Sequence, residues 1–135
     1  KLGTTHKETM KLRKEILEGY KPKPGMLDLL KRLQKNYRLI VFSGNIRERV
    51  MMVNRKYKVN KFFSEFIFSY IQGYNKNDSR FYKIIQKRIK YPEQTIMIDD
   101  KKRVLDQMNK HGFKNTILFK NPTQLKRELK KYNII

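Results

Sequence analysis

The sequence has 135 residues, enough for one domain with a buried core. It contains no cysteine, which excludes a disulfide framework and a thiolate metal site. No apolar run is long enough for a membrane span or resembles a signal peptide. The composition therefore predicts a globular protein and is compatible with an intracellular or reducing compartment.

The charge is the unusual feature of the composition. Lysine and arginine number 33 against 12 acidic residues, and the formal net charge is +21. Such a field attracts nucleic acid, anionic lipid or an acidic protein surface. The alternative is compositional drift, because the chain lacks alanine, is rich in Lys, Asn and Ile, and spreads its cations from Lys1 to Lys131. The sequence leaves both interpretations open.

The chain begins with a segment unlike the rest. The pattern over Glu8 to Gly19 predicts one helix with sparse apolar positions and no strand before it. We therefore divide the chain into an N-terminal helical segment, residues 1–20, and an α/β core, residues 21–135.

Four short β-type runs follow in the core. They are nearly continuous in apolar residues, which predicts strands covered on both faces, as in a parallel sheet. The runs are Arg38–Ser43, Phe66–Ser69, Thr95–Asp99 and Asn115–Phe119.

Helical periodicity fills the intervals between these runs. Helices are predicted after Pro24-Gly25, from Ile46 to Tyr57, after Asp78-Ser79, before Gly112 and after Asn121-Pro122. The alternation of strand and helix predicts a doubly wound, Rossmann-like parallel sheet with right-handed crossovers.

Ligands bind at the carboxyl ends of the strands in such sheets. The first run ends in Ser43, Gly44 and Asn45. A hydroxyl and backbone N–H groups at the start of a helix can donate to a phosphate. A structural turn or a helix cap explains the same residues, so the pattern alone is weak.

The third run ends in two adjacent carboxylates, Asp99 and Asp100. Their mutual repulsion is easier to rationalise if a cation binds nearby. The alternative is that Asp100 caps the next helix while Asp99 is solvated or paired with Lys101 or Lys102.

Lys76 is a candidate site residue because of its position after a strand and before a helix. The order Ser-Gly-Asn, then Gly73-x-x-Lys76-x-Asp78-x-x-x-Tyr82, then Asp-Asp with Gly112 further on, resembles motifs two to four of the haloacid-dehalogenase (HAD) phosphatase superfamily. Pro24-Gly25, Phe62-Phe63 and Pro92-Glu93 fit the same pattern. The resemblance covers about residues 20–135 and is strongest to the subgroup with a helical cap, of which residues 8–19 would be a remnant.

The resemblance implies roles for these residues. Ser43 and the backbone of Gly44 and Asn45 would bind the phosphoryl group, and Lys76 would neutralise its charge. Asp99, Asp100 or both would hold Mg²⁺, which offsets charge in phosphoryl transfer. The implied reaction is hydrolysis of a phosphoric monoester.

The first motif of the family, Asp-x-Asp-Gly-Thr, is not found. The acids before residue 20 are Glu8, Glu15 and Glu18, and Lys1–Thr5 has only a faint echo of Gly-Thr. In the family this motif ends the central strand of the sheet and supplies the nucleophile. We therefore expect no activity from this chain without an added nucleophile.

A sheet without its central strand would expose backbone edges, which is costly. We expect the strand to come from an upstream segment or a partner chain; a third alternative is direct pairing of the two half-sheets.

Three functions remain open at this stage. The first expectation is a non-catalytic pseudoenzyme that serves as a structural or polyanion-binding part of a nucleic-acid-rich assembly, such as a ribosome or a virion. The second is the C-terminal part of an active Mg²⁺-dependent phosphatase. The third, less favoured, is a polyanion-binding module on an unrelated α/β fold. The sequence names neither a substrate nor a partner.

Overall fold

The computed structural model describes residues 22–45 and 47–135. The expected helical segment at residues 1–20 lies outside them. The described elements are α1 Met26–Gln34, β1 Ile40–Ser43, α2 Arg47–Tyr57, β2 Glu65–Phe68, α3 Ser69–Gln72, α4 Ser79–Arg88, β3 Ile96–Asp99, α5 Lys102–Lys110, β4 Asn115–Leu118 and α6 Pro122–Lys131, with 3₁₀ turns at Val59–Phe62 and Pro92–Gln94.

The four strands form two parallel pairs. β1 pairs with β2, with Ser43 opposite Phe68, and β3 pairs with β4, with Asp99 opposite Leu118. Over the described residues these are two separate two-stranded sheets, so β1 and β3 do not pair directly. The α/β class and the parallel strands predicted from the sequence are confirmed, whereas direct pairing of the two halves is wrong for this part of the chain.

One face of both strand pairs is covered by α4 and α5. Phe81 and Ile85 of α4 pack in the same buried cluster as Ile67 of β2 and Met97 of β3, together with Met108 of α5. Because residues of α4 share one buried cluster with residues of both pairs, the apolar face of α4 belongs to a core that spans the two halves. Burial of these side chains is the main stabilising contribution to that junction.

The opposite face of β4 is covered by α1 and α6. Leu29 and Leu33 of α1, Leu125 and Leu129 of α6, and Ile117 of β4 form a second buried cluster. The apolar spacing that predicted these helices is the spacing of the residues that they bury.

Local signals fix where several helices begin and end. The Asp78 side chain accepts a hydrogen bond from Arg80 N at the start of α4, and Asn121 accepts from Gln124 N at the start of α6. Gly112 follows α5 with φ of 98°, the left-handed conformation that favours glycine after a helix. The sequence placed these three boundaries within one or two residues.

Two expectations about the strands need correction. Ser69 begins the short helix α3 rather than ending β2, because the chain turns there after the fourth paired residue. Ile98, expected to be covered, is 41% exposed, because the described helices leave its side of β3 open. None of the described helices is long and apolar enough to cross a membrane.

Candidate active site

The carboxyl ends of β1 and β3 carry the polar residues singled out in the sequence. Ser43 is the last residue of β1 and Asp99 the last of β3. Lys76 lies between α3 and α4, in the loop that leads from the first strand pair toward the second. The topology therefore brings three segments, distant in sequence, to the same edge.

Lys76 and Asp99 form the central contact of the site. The Nζ atom of Lys76 donates to Oδ2 of Asp99 at 2.6 Å, and their side chains are 17% and 12% exposed. Oδ1 of Asp99 accepts from Lys101 N at 2.9 Å. Both oxygens of this carboxylate are thus held in fixed directions by charged or backbone donors.

Two contacts and the close approach of Gly44 fix the position of Lys76. The Tyr82 hydroxyl donates to the Lys76 carbonyl oxygen at 2.6 Å. The Lys76 ammonium lies 4.9 Å from the centroid of the Phe42 ring, a cation–π distance. A Cβ atom on Gly44 would lie 3.5 Å from Lys76 Cγ. Phe42 and Gly44 flank Ser43, so Lys76 passes directly beside the Ser43 turn.

Ser43 forms a turn of its own. Its Oγ accepts a hydrogen bond from Asn45 N at 3.1 Å, and the Asn45 side-chain oxygen accepts from Arg49 at 2.9 Å. Ser43 therefore forms the structural turn that was the alternative interpretation of the Ser-Gly-Asn pattern. The Asn45 N–H is bonded to Ser43 Oγ within this turn, and its expected role in phosphate binding stays a prediction. A hydroxyl that accepts in this way can still donate its own proton.

Asp100 is exposed and makes no hydrogen bond with any described residue. The expectation that it caps α5 is wrong, because the residue at the cap position is Lys101 and no side chain caps that helix. The backbone turn at Lys101 is bonded instead by Asp99. Asp100 is therefore a carboxylate at the strand end with no structural task in the described fold.

The structure adds two residues that the sequence did not single out, Arg103 and Asn77. Arg103 donates from Nη1 to Oδ1 of Asn77. No pattern distinguishes Arg103 among 33 basic residues, so only the packing of α5 beside the Lys76 loop brings it to notice.

Tyr82 is linked electrostatically to this site. Burial raises the pKa of its hydroxyl above the ordinary value of 10.0, Arg103 lowers it and Asp99 raises it further. The neutral phenol is the form that donates to the Lys76 carbonyl.

Comparison with known proteins assigns the sequence to a family. A sequence model described as haloacid dehalogenase-like hydrolase matches residues 2–112. The chain belongs to the haloacid dehalogenase-like hydrolase family. The resemblance inferred from the motifs is thereby confirmed, whereas the individual roles of Ser43, Gly44, Asn45, Lys76, Asp99 and Asp100 stay predictions.

A solved structure has the same fold. The crystal structure of the HAD-hydrolase YfnB from Bacillus subtilis, bound to magnesium, matches 90% of this HAD-family chain with a TM-score of 0.74 at 19% sequence identity. The match covers 60% of YfnB, so the chain spans well under the full length of that protein. None of the curated proteins matches the chain in sequence.

Proposed function

We propose that residues 22–135 form the phosphate- and magnesium-handling part of a phosphoric monoester hydrolase whose nucleophilic aspartate comes from elsewhere. The observation that carries this proposal is the Lys76–Asp99 ion pair, 2.6 Å long and largely shielded from solvent, beside the Ser43 turn. A cation and a carboxylate held together at the carboxyl ends of the strands suit the binding of a phosphate with its metal.

The residues present fit Mg²⁺ as a partial site. Asp100 is an uncommitted carboxylate, and Oδ1 of Asp99 carries one backbone hydrogen bond and has a remaining lone pair. Mg²⁺ commonly takes one or two carboxylates and completes its shell with water and substrate phosphate. The described residues contain no cluster of three metal-ligating side chains. Bound there, the metal would offset negative charge on the phosphoryl group.

The chain's own residues would then divide the work. The Ser43 hydroxyl donates to a phosphoryl oxygen while its Oγ keeps the Asn45 N–H. Lys76 attracts the phosphate and holds Asp99, and Tyr82 and Phe42 keep the lysine in place. Covalent catalysis would need a further carboxylate as the nucleophile. We propose that this carboxylate is provided neither by residues 22–135 nor by the three glutamates before them.

The open sides of β1 and β3 support an external source for that carboxylate. Each strand has one described strand neighbour, so one edge of each is unpaired among the described residues. Exposed strand edges pair readily with an added strand. A strand inserted between β1 and β3 would end beside Ser43 and Asp99, where the nucleophile is needed.

Hydrolysis of p-nitrophenyl phosphate with Mg²⁺ tests this proposal. The chain alone should be inactive. A variant with an apolar strand ending in Asp-x-Asp-Gly-Thr fused at its N-terminus should gain activity, and the same fusion with Asn for the first Asp should not. Asp99-dependent hydrolysis by the unfused chain would overturn the need for an added nucleophile. Equal inactivity of both fusions, in folded and metal-binding protein, would overturn the catalytic proposal.

The net charge favours a second candidate, a non-catalytic polyanion-binding component of a nucleic-acid-rich assembly. A formal charge of +21 on 135 residues exceeds what a phosphate site requires. Binding of a single-stranded RNA oligonucleotide should then fall steeply with salt, because released counterions drive it. Absence of RNA binding at low salt would remove this candidate and leave the phosphate site unaffected.

A further inference from the structure

A polar cavity of about 270 Å³ opens next to the Lys76–Asp99 pair. It lies between α5 and the loop that leads into α4. Its lining contains two cations, three neutral polar side chains and no acid: Lys76, Asn77, Ser79, Arg103 and Gln107. A cavity with this composition attracts an anion and offers it hydrogen-bond donors.

Arg103 is held at the wall of this cavity by its neighbours. Its Nη1 atom donates to the side-chain oxygen of Asn77, whose backbone N–H donates to the side chain of Asn75 at 2.8 Å. One end of the guanidinium is thus anchored to a braced loop. The remaining N–H groups keep the planar fork that suits a carboxylate or a phosphate.

The cations around the cavity differ in their partners. Arg80 is bonded to Asp78 at 2.7 Å, and Lys102 is paired with Asp106 at 3.3 Å. Arg103 has no carboxylate partner among the described residues, and the partner of its Nη1 atom is the Asn77 side chain. Its charge is therefore available to a ligand, whereas the charges of its neighbours are partly balanced.

We propose that this cavity binds a second anionic group of the substrate, so that the preferred substrate is a phosphate monoester carrying another phosphate or a carboxylate. This inference rests on the proposed function, because Lys76 is shared between the two anions. Arg103 and Asn77 are the residues that would recognise the second group, and Lys76 faces both. A volume of about 270 Å³ has room for such a group with a few carbon atoms.

Calorimetric binding to the full chain with MgCl₂ at fixed ionic strength tests this inference. The probes are propyl phosphate, 3-(phosphonooxy)propanoate and propane-1,3-diyl bisphosphate. The wild-type chain should bind at least one of the two probes that carry a second anionic group about tenfold more tightly than propyl phosphate. The probe with the larger gain in affinity shows whether the preferred second group is a carboxylate or a phosphate.

Two substitutions that each remove one positive charge distinguish binding in the cavity from attraction by the net charge of the protein. Arg103→Gln should remove most of that preference and leave propyl phosphate affinity within about twofold, whereas the control Lys102→Gln should leave the preference within about twofold. Equal losses in both variants, or no preference in the wild type, would overturn the inference and leave the proposed function standing. Failure of the wild type to bind propyl phosphate at all would overturn the proposed function and this inference with it.

Discussion

The ammonium of Lys76 and the carboxylate of Asp99 meet at 2.6 Å, which joins the loop before α4 to the end of β3. The two residues are 23 positions apart in the sequence. Their contact is the structural basis of the proposed site, because it sets a cation and a potential metal ligand side by side.

Replacement of Lys76 by Met should abolish detectable phosphate binding and lower the free energy of unfolding by about 1–3 kcal/mol, because it removes the cation bonded to the largely shielded Asp99 carboxylate. Urea unfolding and calorimetry measure the two effects. Lys83→Met, an exposed lysine on α4, is the matched control and should change neither. In a double-mutant cycle with Asp99→Asn, additive effects would contradict a direct interaction.

Gly44 should tolerate one added carbon atom and not three. A Cβ at this position meets Lys76 Cγ at 3.5 Å, an ordinary contact, so Gly44→Ala should bind phosphate within about twofold of wild type. The branches of Gly44→Val would press against the lysine stem and move its ammonium away from Asp99. Phosphate affinity should fall about tenfold or more. Equal affinities for the Ala and Val variants would contradict the close approach of Gly44 to Lys76.

Tyr82→Phe should lower the free energy of unfolding by about 0.5–1.5 kcal/mol at pH 8, because it removes the hydroxyl that donates to the Lys76 carbonyl oxygen. Burial raises the pKa of the Tyr82 hydroxyl, so its contribution is full below pH 10.0 and is lost as pH rises through the folded-state pKa. The stability difference between the two proteins should therefore shrink in alkaline urea titrations. A difference that grows with pH would contradict this assignment.

Phe81→Ala should destabilise both halves of the molecule together. Phe81 is fully buried on α4, and its ring centroid lies 4.5 Å from that of Phe42 on β1. The free energy of unfolding should fall by about 3–5 kcal/mol. Urea unfolding should still show a single transition. Tyr91→Ala, at a residue 57% exposed, should change stability by less than about 0.5 kcal/mol. Two separate transitions in the Phe81 variant would show that α4 does not join the halves.

Much of the fold could be predicted because its signals are local. Continuous apolar runs marked the four strands to within two residues, and Asp78 and Asn121 marked two helix starts. The order of the motifs predicted which strand ends would meet. The family followed from that order, since Ser43, Lys76 and Asp99 individually carry weak signals.

The rest depends on packing that the sequence does not encode locally. The separation of β1 from β3 and the exposure of Ile98 reflect which neighbours a strand finds in space. The Arg103–Asn77 contact arises where α5 meets a loop 26 residues earlier. In a chain with so many cations, no spacing rule singles out the one that faces a cavity.

The most direct measurement of the central claim is paramagnetic broadening of backbone amide signals by Mn²⁺, which replaces Mg²⁺ at oxygen-ligand sites. With inorganic phosphate present, the amides of residues 43–45, 76 and 99–101 should broaden first, and Asp99→Asn should abolish the effect. Broadening spread over other carboxylates, unchanged in that variant, would contradict a shared site for the metal and the anion.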